Sequence, residues 1–252
     1  MKRKKFLPLL ILGAALLLLV LSLAVGLAFF RPQMASLYRR VTSALAPRPS
    51  SSFKTYRDSD DKTVIWLDPG HGGADPGSVS AFLGEETEST VNLKLCLLLR
   101  EELISYGYTV KLTREENSVP DENGKFPYAK RYEEITSDNE ADLYISIHCN
   151  SFDDPSVSGS RLYYYKDATD YNYYLASAVK KEIEALHKED GPRLFPITEE
   201  TSFASFRSSS LPSFLLETLF VSNEEDAGKL LDEEWLREEA KGIAAGIHRF
   251  VG

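Results

Sequence analysis

Val64-Ile65-Trp66-Leu67-Asp68-Pro69-Gly70-His71-Gly72-Gly73 is the stretch on which the fold turns. Residues 64–68 read as a strand, four apolar side chains and then the aspartate of an Asp-Pro-Gly that stops the run. The strand then runs into a glycine-rich turn that holds a histidine. In open α/β sheets, sites collect at the carboxyl ends of strands. Outward from here the chain alternates strand and helix signals. Residues 90–106 are strongly apolar and helical in length, and Gly107 stops them. Residues 109–114 alternate as a strand, 125–139 read as a helix, 143–148 as a strand and 161–165 as an aromatic-rich strand. A helix follows at 170–187 and a strand at 213–218. The final helix carries Leu236, Ala240, Ile243 and Ile247 at helical spacing. This alternation predicts an α/β fold: a single three-layer domain whose central, largely parallel twisted sheet is flanked by helices.

Two further strands end on groups able to bind or activate something. Residues 143–147 lead to His148, and 213–216 lead to Glu217. Parity places Leu143, Ile145 and Ile147 on one face of their strand, and Tyr144, Ser146 and His148 on the other. Cys149 therefore lies opposite His148 and is not expected in its site. Two histidines and a carboxylate, with a fourth position left open, make a standard catalytic zinc set. Glu85, Glu86 and Glu88 all follow His71 within one loop, and chemistry alone does not choose among them. Each element also has an ordinary reading. A lone histidine is more often structural, glycine turns after strands are common, and a strand-end glutamate is often an ion-pair partner.

The N-terminal region differs in kind. Residues 6–30 are an unbroken uncharged run, preceded by Lys2, Arg3, Lys4 and Lys5 and followed by Arg31. It is long enough to cross a bilayer and too long for the apolar part of a cleaved signal peptide. We expect residues 1–5 to form a short tail, 6–30 a transmembrane signal anchor, 31–61 a tether rich in proline and serine, and 62–252 the folded domain. The packed basic tail leans towards an N-terminus inside and a domain outside. The first 60 residues carry ten Lys/Arg and two Asp/Glu in a chain of net charge −9, so the remainder stands at −17. So acidic a domain is expected to bind neither nucleic acid nor anionic lipid tightly. The only two cysteines, Cys96 and Cys149, sit in apolar runs and are expected as buried free thiols.

Four stretches together carry a resemblance. Residues 67–77, Leu-Asp-Pro-Gly-His-Gly-Gly-Ala-Asp-Pro-Gly, are similar to the opening motif of the zinc-dependent N-acetylmuramoyl-L-alanine amidases. Glu88-Ser-Thr-Val-Asn92-Leu93 resembles the next, a glutamate followed four positions on by Asn-Leu. Residues 141–150 resemble the second-histidine motif, and 212–223 the motif around the catalytic glutamate. One departure is Leu219, where the family usually has glycine. The resemblance implies cleavage of the amide between the lactyl group of N-acetylmuramic acid and the L-alanine of the stem peptide in peptidoglycan. It implies one zinc ion per chain held by His71, Glu88 and His148. It makes Glu217 the residue that takes a proton from the attacking water and passes it to the leaving amine.

Arg131 and Arg207 are weaker candidates, for substrate carboxylates or for structural ion pairs. Tyr163, Tyr164, Tyr165, Tyr171, Tyr173 and Tyr174 are expected to pack a sheet edge and a helix rather than stack on sugars. His187 and His248 read as surface residues at helix ends. Two rival readings share most of these features: a zinc peptidase acting on stem peptides, and a catalytically silent wall-binding membrane protein. Expected partners are peptidoglycan and the membrane, with room for a protein activator at residues 118–128 or 191–207.

Overall fold

The structure, a computed structural model, describes residues 62–117, 128–166, 170–187, 191–201 and 211–252. The expected tail, anchor and tether lie outside these residues. Among those described, no helix is long and apolar enough to cross a membrane.

Every position of β1 (Val64–Pro69) is buried, as its apolar run requires of a central strand. A single 3-10 turn (Ala81–Leu83) and α1 (Glu88–Ser105) follow, then β2 (Thr109–Leu112), α2 (Tyr128–Ser137), β3 (Ala141–Asn150) and β4 (Arg161–Tyr164). The chain closes with α3 (Tyr171–His187), β5 (Thr198–Glu199), β6 (Ser213–Phe220), α4 (Glu224–Leu231) and α5 (Glu233–Val251). The strands form one six-stranded sheet in the order β2-β1-β3-β6-β4-β5. Pairing is parallel except between β4 and β6, which run antiparallel, so the sheet is mixed but mostly parallel.

The two faces of the sheet are covered unequally. Ile65, Leu67, Leu143, Ile145, Ile147, Leu162, Phe214 and Leu216 project into the main core, shared with α1, α3 and α5. On the other face Trp66 and Tyr144 pack with Ile135 of α2 in a small separate cluster. From β1 the chain leaves to one side for β2 and returns on the other as β3. The strand order thus reverses between β1 and β3, where an α/β sheet opens a crevice at its carboxyl edge.

Cys96 and Cys149 are buried free thiols. Tyr164 packs on Tyr173 at 5.4 Å and Tyr171 on Phe250 at 6.4 Å, at the sheet edge and helix as expected. His187 departs from expectation. Its ring stacks on Trp235 at 5.3 Å and bonds at 2.7 Å to the fully buried Glu239, because the end of α3 packs against α5. His248 is exposed but engaged, stacked on Tyr106 and bonded to the Tyr108 hydroxyl at 2.7 Å.

Candidate metal centre and active site

His71 stands two residues beyond β1, held by a tight turn in which Gly72 and Asp75 exchange backbone hydrogen bonds. Its Nδ1 meets Asp75 Oδ2 at 2.9 Å, and its Nε2 faces Glu88 Oε1 at 3.1 Å. Glu88 is the first residue of α1, behind the N-cap Thr87, whose N–H donates to Thr90 Oγ1 at 2.9 Å. A carboxylate there is favoured by the helix dipole. Its Oε2 accepts from the Ser78 N–H at 2.8 Å, and its Oε1 from the Cys149 N–H at 3.1 Å. The same Oε1 lies 3.1 Å from His148 Nδ1, near the end of β3. The two imidazoles stand edge to face with centroids 4.9 Å apart.

These contacts set the charges. Burial pushes the His71 imidazole down, but the bonded Glu88 and then Asp75 outweigh it and bring His71 up to about 9. Burial alone would raise the Glu88 carboxyl. Hydrogen bonds from His148 and His71 instead hold it well below the ordinary carboxylate range.

His71, Glu88 and His148 are a group able to hold a metal ion, one atom from each lying within 4.8 Å of the others. The fit can be tested on distances. A tetrahedral zinc with nitrogen and oxygen ligands about 2.0–2.1 Å away spaces neighbouring ligands roughly 3.3 Å apart. Two separations of 3.1 Å through one oxygen match that. Asp75 behind His71 is the outer carboxylate that orients ligating histidines. The residues therefore fit the ion.

Two glycines make the cluster sterically possible. A Cβ on Gly70 would sit 2.3–2.5 Å from three atoms of the His148 ring. One on Gly77, at φ +67°, would sit 2.7 Å from both Glu88 Oε2 and His71 Cδ2.

Glu217 on β6 is the register partner of His148 on β3. Its Oε2 is buried with no hydrogen-bond partner, and burial lifts the carboxyl to about 7. A desolvated, unpaired carboxylate beside a cation site is suited to take and return a proton near neutral pH. Across the antiparallel pair on its other side stands Arg161 of β4.

Residues 65–249 match the profile of the N-acetylmuramoyl-L-alanine amidases. The chain belongs to this family. The amidase AmiC of Neisseria meningitidis serogroup B is 28% identical over 229 residues, 75% of this chain and 53% of that protein. The chain thus spans about half the length of that relative. The CwlD amidase of Clostridioides difficile, solved in complex with the GerS lipoprotein, is 31% identical with a TM-score of 0.67, over 75% of this chain and 98% of that one. AmiC2 of Nostoc punctiforme is 32% identical with a TM-score of 0.65, over 75% and 97%.

In this amidase fold His71, Glu88, His148 and Glu217 come together from four separate elements. The other two glutamates of the loop do not join them: Glu85 is exposed, and Glu86 pairs with Lys94. Arg131 lies in α2 with its side chain outside the described residues, and Arg207 lies outside them altogether. Asn223, in the fourth motif, is structural. It caps α4 by accepting from the Asp226 N–H at 3.0 Å and donates to Pro155 O at 2.7 Å.

Two further arginines bear on the site. Arg114 is buried and donates to the carbonyls of Pro69, Gly70, Ser89 and Glu116. It ties the His71 turn to the start of the Glu88 helix. Arg161 opens β4, opposite Glu217. No sequence signal distinguishes either from a surface arginine.

Proposed function

We propose that the domain hydrolyses the amide between the muramyl lactyl group and L-alanine in peptidoglycan, with one zinc ion held by His71, Glu88 and His148. The carrying observation is the shared contact of both histidines with Glu88 Oε1 at 3.1 Å, beside Glu217, whose Oε2 is buried and has no hydrogen-bond partner among the described residues. Zinc, when bound, would polarise the scissile carbonyl and make water nucleophilic at neutral pH. Asp75 fixes which His71 nitrogen faces the ion, by bonding the other. Glu217 accepts the proton of the attacking water at its free oxygen. It then delivers that proton to the departing L-alanine nitrogen, so the amine leaves neutral.

The N-terminal run at residues 6–30 supports a membrane anchor that holds the domain outside the cytoplasmic membrane, with residues 31–61 as its tether and 62–252 as the catalytic domain. The CwlD relative is solved with a lipoprotein bound. A protein activator of this chain is proposed by the same analogy.

The test is mass spectrometry of the products from purified peptidoglycan incubated with the full chain, with and without a chelator. Stem peptides beginning at L-alanine, lost on chelation and restored by zinc, are the expected result. Cleavage elsewhere in the stem would replace the assignment with a peptidase. Intact peptidoglycan, even with zinc present, would leave either a missing activator or the silent wall-binding reading in its place.

A further inference from the structure

Arg161 and Glu217 are register partners in the antiparallel β4–β6 pair, so their side chains leave the sheet on the same face. They are opposite in charge, yet among the described residues no ion pair joins them. Glu217 Oε2 and Arg161 Nε are both buried without a hydrogen-bond partner. The Arg161 guanidinium lies 4.2 Å from the centre of the Phe195 ring and 5.9 Å from that of Phe220. The exposed Arg193 lies over the same Phe195 ring at 4.5 Å. Two guanidinium groups thus flank one phenyl ring, in a domain whose overall charge is strongly negative.

Stacking fixes where Arg161 points but leaves its Nε donor unused. A buried guanidinium donor without an acceptor is costly, and a carboxylate that arrives with a ligand is the acceptor it fits best. We infer that Arg161 binds a carboxylate of the stem peptide, making this edge of the sheet an acidic-peptide subsite beside the scissile bond. The inference rests on the amidase assignment. Where the second stem residue is a γ-linked glutamate, its free α-carboxylate lies within about 7 Å of the scissile amide, the reach of two extended residues. Cross-strand partners such as Arg161 and Glu217 have Cβ atoms about 4.5–5.5 Å apart, a separation of the same order as that reach. The same residue bound as the α-carboxamide offers no charge to the fork.

The experiment compares two synthetic muropeptides that differ only in this group, carboxylate against carboxamide. It measures kcat and KM for the zinc-loaded full chain and for Arg161→Gln. The wild type is expected to prefer the carboxylate by about tenfold or more in kcat/KM, with the difference in KM. In Arg161→Gln that preference should collapse towards one. Equal use of both substrates by the wild type overturns the inference and leaves the amidase assignment standing. So does an Arg161→Gln enzyme that loses the same factor on both. Cleavage of neither by the wild type overturns the assignment and the inference with it. The wild-type comparison needs no variant, so it decides even if Arg161→Gln does not fold. Arg161→Lys, which keeps the charge without the two-pronged fork, should retain only part of the preference.

Discussion

Gly70→Ala is the sharpest perturbation of the proposed metal centre, because it adds one methyl group and removes no ligand. The added Cβ would lie 2.3 Å from His148 Cε1, 2.4 Å from Nε2 and 2.5 Å from Nδ1. Ordinary contacts between such atoms are about 3.5–4.0 Å. The imidazole must therefore move by roughly 1 Å or more, since the backbone on the other side is fixed. The Gly70 N–H is bonded to Ile147 O at 2.8 Å, and its carbonyl accepts from Arg114 at 2.9 Å. Metal–ligand distances tolerate only about 0.2 Å, so a shift of this size removes His148 from the set. Losing an outer-shell partner typically costs 10–100-fold in metal affinity, and losing a ligand costs more. We expect zinc affinity to fall by at least about 100-fold. The assay is zinc titration against a competing chelator, with thermal melting of the metal-free protein alongside. Crowding of this kind costs about 1–3 kcal/mol, so melting should drop only by several degrees. Wild-type zinc affinity and turnover in Gly70→Ala would refute the placement of His148 in the metal site.

Glu217→Gln should lower kcat by about 10²–10⁴-fold while zinc stays bound, read by steady-state rates and metal analysis. Zinc must displace the proton that His71 holds in the metal-free protein up to about pH 9. Apparent zinc affinity should therefore rise about tenfold per pH unit between about pH 6.5 and 9, and a pH-independent affinity in the same chelator competition would contradict this. The metal-free protein should show the opposite trend. The stability His71 contributes is full below its ordinary 6.5 and is lost as pH rises through about 9, whereas that of Glu88 is present above 4.5 and lost as pH falls. Leu219→Gly would relieve a left-handed backbone worth about 1–2 kcal/mol but remove a fully buried side chain worth about 2–5 kcal/mol, so urea melts should show net destabilisation.

The parts of this fold legible in the sequence are those where burial dictates composition. β1, β3 and β6 are central strands, and an apolar run ending on a polar or glycine-rich turn is what a buried strand entering a site must look like. His71, His148 and Glu217 were visible for that reason. Glu88 needed the family resemblance, because its distinction from Glu85 and Glu86 is positional. It alone is the first residue of α1, pointed inward. The antiparallel direction of β4 was not legible, since strand polarity depends on a connection rather than on the residues of the strand. The four-carbonyl contact of Arg114 was hidden because its partners are backbone atoms, which leave no trace in side-chain pattern.

Two residues in left-handed backbone explain why alternation alone could not have aimed the site. Trp66 and Asp68 share the face that carries His148, so an extended His71 would point the other way, with Leu67 towards the helices. At φ 63° it turns back instead, at a cost of order 1 kcal/mol that the surrounding hydrogen bonds must offset. Leu219, at φ 60°, marks the second switch. From His148 to Asn150 β3 advances two residues, while β6 advances three from Glu217 to Phe220. That extra residue is a bulge, a structure whose left-handed position usually belongs to glycine. Core residues along β6 and just past its end accordingly run Phe214, Leu216, Leu219, Val221, with one step of three among steps of two. Strict alternation would have put Leu219 beside Glu217 and sent Phe220 into the helical core. The bulge exchanges them, leaving Phe220 to line the site face near Arg161. Leucine at the glycine position thus keeps the bulge and its aim while adding a buried side chain to the core, at the expense of backbone strain that glycine would not carry.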